Sequence, residues 1–267
     1  MYAVYIIKMI SPMTKKKSFI LQNLHTASTN PMANLTAGTT YYTWVTLYVY
    51  DFWVLYISNS FAWRSSTRNI LLPFFKSHVG RQHLDVGVGT GYYPARAAGN
   101  TPMEALTLVD LNPNCLSMAS RRIQFPRHKK NGTSTIVADA LQPRILPSRS
   151  LKSFDSISLM YLIHTLPAGP RGNKNKLQQI SCNIKPYLKE GGVVFGATIL
   201  GKGVYHNLFA TLLTWVYNRL GIFDNLADGK DELLKALTSE FEDVKVEVIG
   251  CVLLFVASQP RETSKRE

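Results

Sequence analysis

Residues 84–91 read Leu-Asp-Val-Gly-Val-Gly-Thr-Gly, an acidic residue followed by glycines at alternate positions. Asp85, Gly87, Gly89 and Gly91 form a loop whose bare main chain can turn sharply and approach a ligand closely, because no Cβ stands in the way. Asp85 sets the sign of that ligand, since a carboxylate there repels a pyrophosphate and attracts a cation. The Gly-x-Gly-x-Gly spacing also departs from the Gly-x-Gly-x-x-Gly of dinucleotide sites. Asp110 stands nineteen residues past Gly91, at the end of an apolar run. A carboxylate there can accept hydrogen bonds from both hydroxyls of a ribose. Leu111 beside it offers an apolar face to an adenine, and Asp139 can take an adenine amino group. Further on, Tyr161 and His164 are the groups able to give or take a proton, and imidazole has the right ordinary pKa for a base near neutrality.

Delivering three carboxylates to one place requires parallel strands with helices between them. The runs 105–110, 134–140 and 156–161 read as strands, following a first strand that begins at His83. Upstream, 40–61 reads as one or two aromatic-rich helices, and a second helix capped around 65–67 is bent or shortened by Pro73. Downstream, helices are expected over 173–188, 206–220 and 230–241, with a turn at 189–192 into a fifth strand. A hairpin of 244–248 and 252–257 closes the sheet. The fold class is therefore α/β: a Rossmann-like, doubly wound seven-stranded sheet, mostly parallel with an antiparallel last strand, helices on both faces and an N-terminal helical lid. Residues 40–258 make one domain, with 40–80 as the lid. Residues 1–39 are expected to be a disordered or dispensable extension, and 259–267 a flexible tail.

These landmarks, in this order and at these spacings, resemble the class I S-adenosylmethionine-dependent methyltransferases. Leu-Ile-His-Thr-Leu-Pro at 162–167 is similar to the small-molecule, ubiquinone-methyltransferase-like branch. The resemblance implies S-adenosyl-L-methionine as cofactor, whose ammonium and sulfonium suit Asp85. It places Asp85, Gly87, Gly89 and Gly91 around the methionine half, Asp110 and Leu111 on the nucleoside, and Asp139 and Ala140 on adenine. It implies catalytic roles for His164 and Tyr161 over the methyl group. On the N-terminal side, Tyr50 and Arg64 become substrate residues, with Asp51 beside them. Arg64 can bind a carboxylate of substrate or cofactor, or make an ordinary surface ion pair. Tyr92 is placed to close over the methionine chain.

Composition narrows the reading. The chain has 267 residues, 46% hydrophobic, and a formal charge of +13. That charge brings nucleic acid into question, yet no Arg/Lys stripe interleaved with aromatics appears, so small molecules are favoured over RNA. Four lysines precede Met32 and no acidic residue precedes Asp51. The apolar run 41–57 is broken by Asp51 and is short for a bilayer, so no membrane span is expected. Cys115, Cys182 and Cys251 are scattered and odd in number, as reduced thiols of a cytoplasmic protein would be. No Cys/His set has zinc spacing, and Asp155 has no acidic pair after the fourth strand, so no metal is expected. Ser158 and Thr198 lack a nucleophile elbow. The expected activity is transfer of a methyl group to a small apolar or aromatic molecule, most simply at oxygen, in secondary metabolism. An RNA or protein methyltransferase, and a cofactor-binding protein that transfers nothing, remain as rivals. The oligomeric state is left open.

Overall fold

The computed structural model describes residues 51–125, 132–167 and 175–262. The expectations for 1–50, including a site role for Tyr50, lie outside that range. The described chain opens with a wide-turned π-helical stretch, Asp51–Ala62. A second, Thr67–Leu71, is capped by Ser66, whose side chain accepts from the Asn69 N–H. Helix α1, Leu72–His78, follows with Pro73 in its first turn, where a missing N–H is harmless. Pro73 thus starts a helix instead of bending one.

The rest alternates as expected. Strand β1 is Gln82–Val86, followed by α2, Tyr92–Ala97; β2, Ala105–Asp110; and α3, Pro113–Arg122. Then come β3, Thr133–Val137; β4, Phe154–Met160; and α4, Lys176–Ile184. The chain ends with β5, Leu188–Ile199; α5, Leu208–Arg219; α6, Lys230–Thr238; β6, Phe241–Ile249; and β7, Val252–Pro260. Asparagines cap three of these helices: Asn112, Asn175 and Asn207 each accept a hydrogen bond from an N–H of the first turn. The seven strands lie in the order β3-β2-β1-β4-β5-β7-β6. All neighbours are parallel except β7, which runs antiparallel to β5 and β6.

Several boundaries differ from the sequence reading: β5 takes in 189–192, where a turn was expected, and three further differences have local reasons. Helix α4 stops at Ile184 and tightens into a single turn at Lys185–Tyr187, because Pro186 cannot continue the ladder. Strand β6 starts at Phe241 because its solvent-facing Glu242, Asp243, Lys245 and Glu247 belong to an edge strand. Strand β7 runs on to Pro260, and the N–H of Arg261 still donates to the Glu240 carbonyl at 2.8 Å.

Two apolar cores sandwich the sheet. One joins Phe75 of α1, Ala97 of α2, Ala119 of α3 and Leu213 of α5 to Phe195 of β5. The other joins Leu177 and Ile180 of α4 and Leu233 of α6 to Leu84, Ile157 and Leu159. The alternation of Leu84 and Asp85 between faces is the ordinary period of a strand. All three cysteines are free thiols. No helix among the described residues is long and apolar enough to cross a membrane.

Candidate active site

In an open parallel sheet the chain leaves in opposite directions on either side of one crevice, and ligands bind outside the strand ends there. Here that crevice lies between β1 and β4, which are adjacent although β2 and β3 come between them in sequence. Asp85 is near the end of β1, Asp110 ends β2, and Tyr161 follows β4. Asp85, Gly87, Gly89, Gly91 and Asp110 are thereby brought together.

The loop of 87–91 is built from left-handed glycines, with φ of 75° at Gly87, 55° at Gly89 and 69° at Gly91. Two of them are closely packed by protein. A Cβ on Gly87 would lie 2.7 Å from Leu162 Cδ1, and one on Gly91 would lie 2.7 Å from Ala119 Cβ. Gly89 is different: a Cβ there meets nothing within 4 Å. Its N–H donates to Asp110 Oδ2 at 3.1 Å, so the loop's tip is tied to the second carboxylate. The open side of Gly89 is the bare main chain that a ligand can approach.

The carboxylates around this loop are set apart by burial. Asp85 is 3% exposed, and its Oδ1 accepts from the Ser158 hydroxyl at 2.6 Å. Burial pushes its carboxyl up to about 7; the Ser158 bond opposes this and the charge of Asp110 adds to it. Burial likewise raises Asp110 to about 6, against hydrogen bonds from the N–H groups of Asn112, Gly89 and Leu111. A buried carboxylate beside a half-buried one is costly to ionise. A bound cation relieves that cost, which is why the pair fits a positively charged ligand. Each carboxylate oxygen keeps a further lone pair for it.

Leu111 is half-buried next to Asp110. Asp139 is half-buried too, and its Oδ1 accepts from the Leu141 N–H at 2.9 Å, a turn-forming bond that leaves the other oxygen free for a ligand. Ala140 is buried, and its carbonyl is held by Asn183 at 3.0 Å while Gln179 holds Leu141 at 2.8 Å. Helix α4 therefore fixes the Asp139 turn from below. Tyr92 is flanked by the guanidinium groups of Arg96 and Arg122, 5.5 and 5.4 Å from its ring centre. Arg122 also donates to the Thr90 carbonyl at 3.3 Å, bracing the glycine loop.

Tyr161 has a positive φ of 57°, a strained conformation for a bulky residue. Its N–H bonds the Ala197 carbonyl at 2.8 Å, and its buried hydroxyl has no hydrogen-bond partner among the described residues. The ring meets His164 edge-on at 5.5 Å. His164 is 3% exposed, and its Nδ1 accepts from the Ile199 N–H at 3.4 Å with Thr198 Oγ1 at 3.3 Å. Burial, with Lys176 nearby, lowers the ring to about 3. Arg64 turns to the surface, donating to the Tyr205 carbonyl at 2.9 Å and lying over that ring at 5.2 Å. Only the backbone of Asp51 falls within the description. Asp155 sits at the far end of β4, paired with Lys189 at 2.7 Å.

Sequence reasoning missed Ser158 and His83 as parts of the site. Their signal is alternation: polar residues at 83 and 85, and again at 156 and 158, inside otherwise apolar strands.

The fold defines a doubly wound α/β protein with a glycine loop and carboxylates at the crevice, and comparison with known proteins narrows that class. The methyltransferase domain family matches residues 84–196. The chain is 43% identical over 224 residues to "Methyltransferase ctvB" of Aspergillus terreus, covering 83% of this chain and 93% of that protein. It is 43% identical over 225 residues to the "Physcion biosynthesis cluster O-methyltransferase" of Aspergillus chevalieri, covering 84% and 96% of the two chains. Among solved structures, the DhpI complex with S-adenosylhomocysteine superposes with a TM-score of 0.58 at 15% identity, over 84% of this chain and 97% of that one. The chain belongs to the methyltransferase family. Its cofactor is S-adenosyl-L-methionine, which the open Gly89 and the carboxylates of Asp85 and Asp110 fit.

Proposed function

We propose that this chain methylates an oxygen of a small, largely apolar or aromatic organic molecule in secondary metabolism. The relative from Aspergillus chevalieri is named as an O-methyltransferase of a biosynthesis cluster, and it aligns over nearly its whole length. The observation that carries the reading is the pairing of Asp85 and Asp110 beside the open main chain of Gly89. The cofactor supplies an electrophilic methyl group on a sulfonium. The chain supplies position: Asp85 faces the ammonium, Asp110 the ribose hydroxyls, and Asp139 the adenine amino group. Orientation of this kind can lower a barrier by up to about 7–11 kcal/mol.

In this reading Tyr161 and His164 line the acceptor side, at the end of β4. His164 stays a neutral ring there, because burial and Lys176 hold its proton affinity low. It orients instead of ionising, and the unpartnered Tyr161 hydroxyl is the group free to bond an acceptor oxygen. A panel of phenols, carboxylic acids, amines and RNA, incubated with methyl-labelled cofactor, tests the assignment. Label in phenols or acids is expected; label confined to RNA or amines overturns it.

A further inference from the structure

Asp85 is the end of a hydrogen-bond line that crosses two strands. In the parallel pairing of β1 and β4, His83 lies opposite Ser156 and Asp85 opposite Ser158. Strand alternation puts all four on one face, the face covered by Phe75 and Phe195. The Gly80 N–H donates to Ser156 Oγ at 2.7 Å. Ser156 Oγ is 2.7 Å from His83 Nδ1, and His83 Nε2 is 3.0 Å from Ser158 Oγ. Ser158 donates to Asp85 Oδ1 at 2.6 Å. A hydroxyl has one proton to give. Once Asp85 is ionised, Ser158 must spend its proton there and can only accept from His83. The imidazole proton is then on Nε2, and Nδ1 accepts from Ser156. Every bond in the line points toward the carboxylate. Phe195, stacked at 5.8 Å, and Phe75, edge-on at 5.4 Å, clamp the ring.

We propose that His83 is a positioning residue for cofactor binding: through Ser158 it fixes the rotamer of Asp85 and favours its ionised form, from a place no ligand can reach. The inference rests on the reading of Asp85 as the ammonium-binding carboxylate. Burial lowers His83 to about 3, so the ring is a fixed neutral dipole at working pH. Burial raises Asp85, the Ser158 bond acts against that, and the nearby charge of Asp110 adds to it. Among the titratable groups near the line are His78 on α1, Tyr93 on α2, and Asp155, which Lys189 of β5 neutralises at the opposite end of β4. The Asp85 end therefore relies on Ser158 and the line behind it.

Calorimetric titration with S-adenosylhomocysteine, which keeps the ammonium, tests this between pH 5.5 and 8.5. Wild-type affinity should fall about tenfold per pH unit below a midpoint near 7. Ser158→Ala and His83→Leu should raise that midpoint by about one unit, and raise KM for the cofactor about fivefold at pH 7 and about tenfold at pH 6, with kcat at saturation within about twofold. His83→Gln, whose amide has one accepting oxygen and one donating nitrogen, should restore the wild-type profile. Ser158→Ala removes only a hydroxyl and carries the test if His83→Leu fails to fold. An unmoved midpoint in Ser158→Ala, or His83→Gln no better than His83→Leu, overturns the role of the line while leaving the cofactor reading intact. No binding by wild type at any pH overturns both.

Discussion

Gly89 and Gly91 have nearly the same backbone conformation and opposite surroundings, so the same substitution should break different things. Alanine at either position must hold a positive φ, at a cost of about 1–2 kcal/mol. At Gly89 that is the whole structural cost, because the new Cβ meets nothing within 4 Å. At Gly91 the new Cβ would lie 2.7 Å from Ala119 Cβ and 2.8 Å from Ala119 Cα, so α3 must move. Overpacking of this kind adds about 1–3 kcal/mol. Gly89→Ala should therefore lower Tm by a few degrees, and Gly91→Ala by roughly twice as much. Ligand binding should rank the other way per unit of lost stability. If the main chain at Gly89 approaches the cofactor, its methyl group weakens S-adenosylhomocysteine binding at least about tenfold, or about 1.4 kcal/mol. Thermal melts and calorimetric titration of both variants give the two numbers. Wild-type affinity in a folded Gly89→Ala protein would refute the claim that this open side is the cradle.

Stability should also report on the carboxylates. The carboxyl of Asp85 is raised on folding, so its contribution is complete below 3.8 and lost as pH rises through about 7. Without cofactor at pH 8, Asp85→Asn should thus be more stable than wild type by up to about 4 kcal/mol in denaturant unfolding; a destabilised variant contradicts this. The rate profile should separate binding from chemistry: kcat/KM for the cofactor falls below pH 7 with Asp85, whereas kcat shows no limb near 6.5, because His164 is held near 3. A limb near 6.5 in kcat that vanishes in His164→Asn would instead make His164 a base. Lys176 is 4% exposed, 2.8 Å from Asp228, and donates to the carbonyls of Leu166 and Asp224. Lys176→Met strands that buried carboxylate and should cost about 3–5 kcal/mol by denaturant unfolding; a change below about 1 kcal/mol contradicts it.

The glycine loop was legible because its meaning is local: an acid, then bare main chain, after an apolar run. The doubly wound, mostly parallel sheet followed from alternation of strands and helices, and Asp110 from its distance past Gly91. What stayed hidden depends on partners remote in sequence. The line from Gly80 to Asp85 needs the register of β1 against β4, some seventy residues apart; the alternation of polar residues at 156 and 158 marks the strand but does not name its partner. The environment of His164 was equally invisible, since a histidine after a strand reads as a base until its burial is known. Pro186 was the opposite case: its effect on α4 is local and could have been read directly. Arg64 was read by charge alone, whereas its position is set by the Tyr205 carbonyl and ring.

Calorimetric titration of S-adenosylmethionine into wild type, Asp85→Asn and Asp110→Asn at pH 8, above the values of about 7 and about 6 for the two carboxyls, tests their role most directly. Wild type is expected to bind at one site, with at least about a tenfold loss in each folded variant. Unchanged affinity in both variants would mean that these two carboxylates do not hold the cofactor.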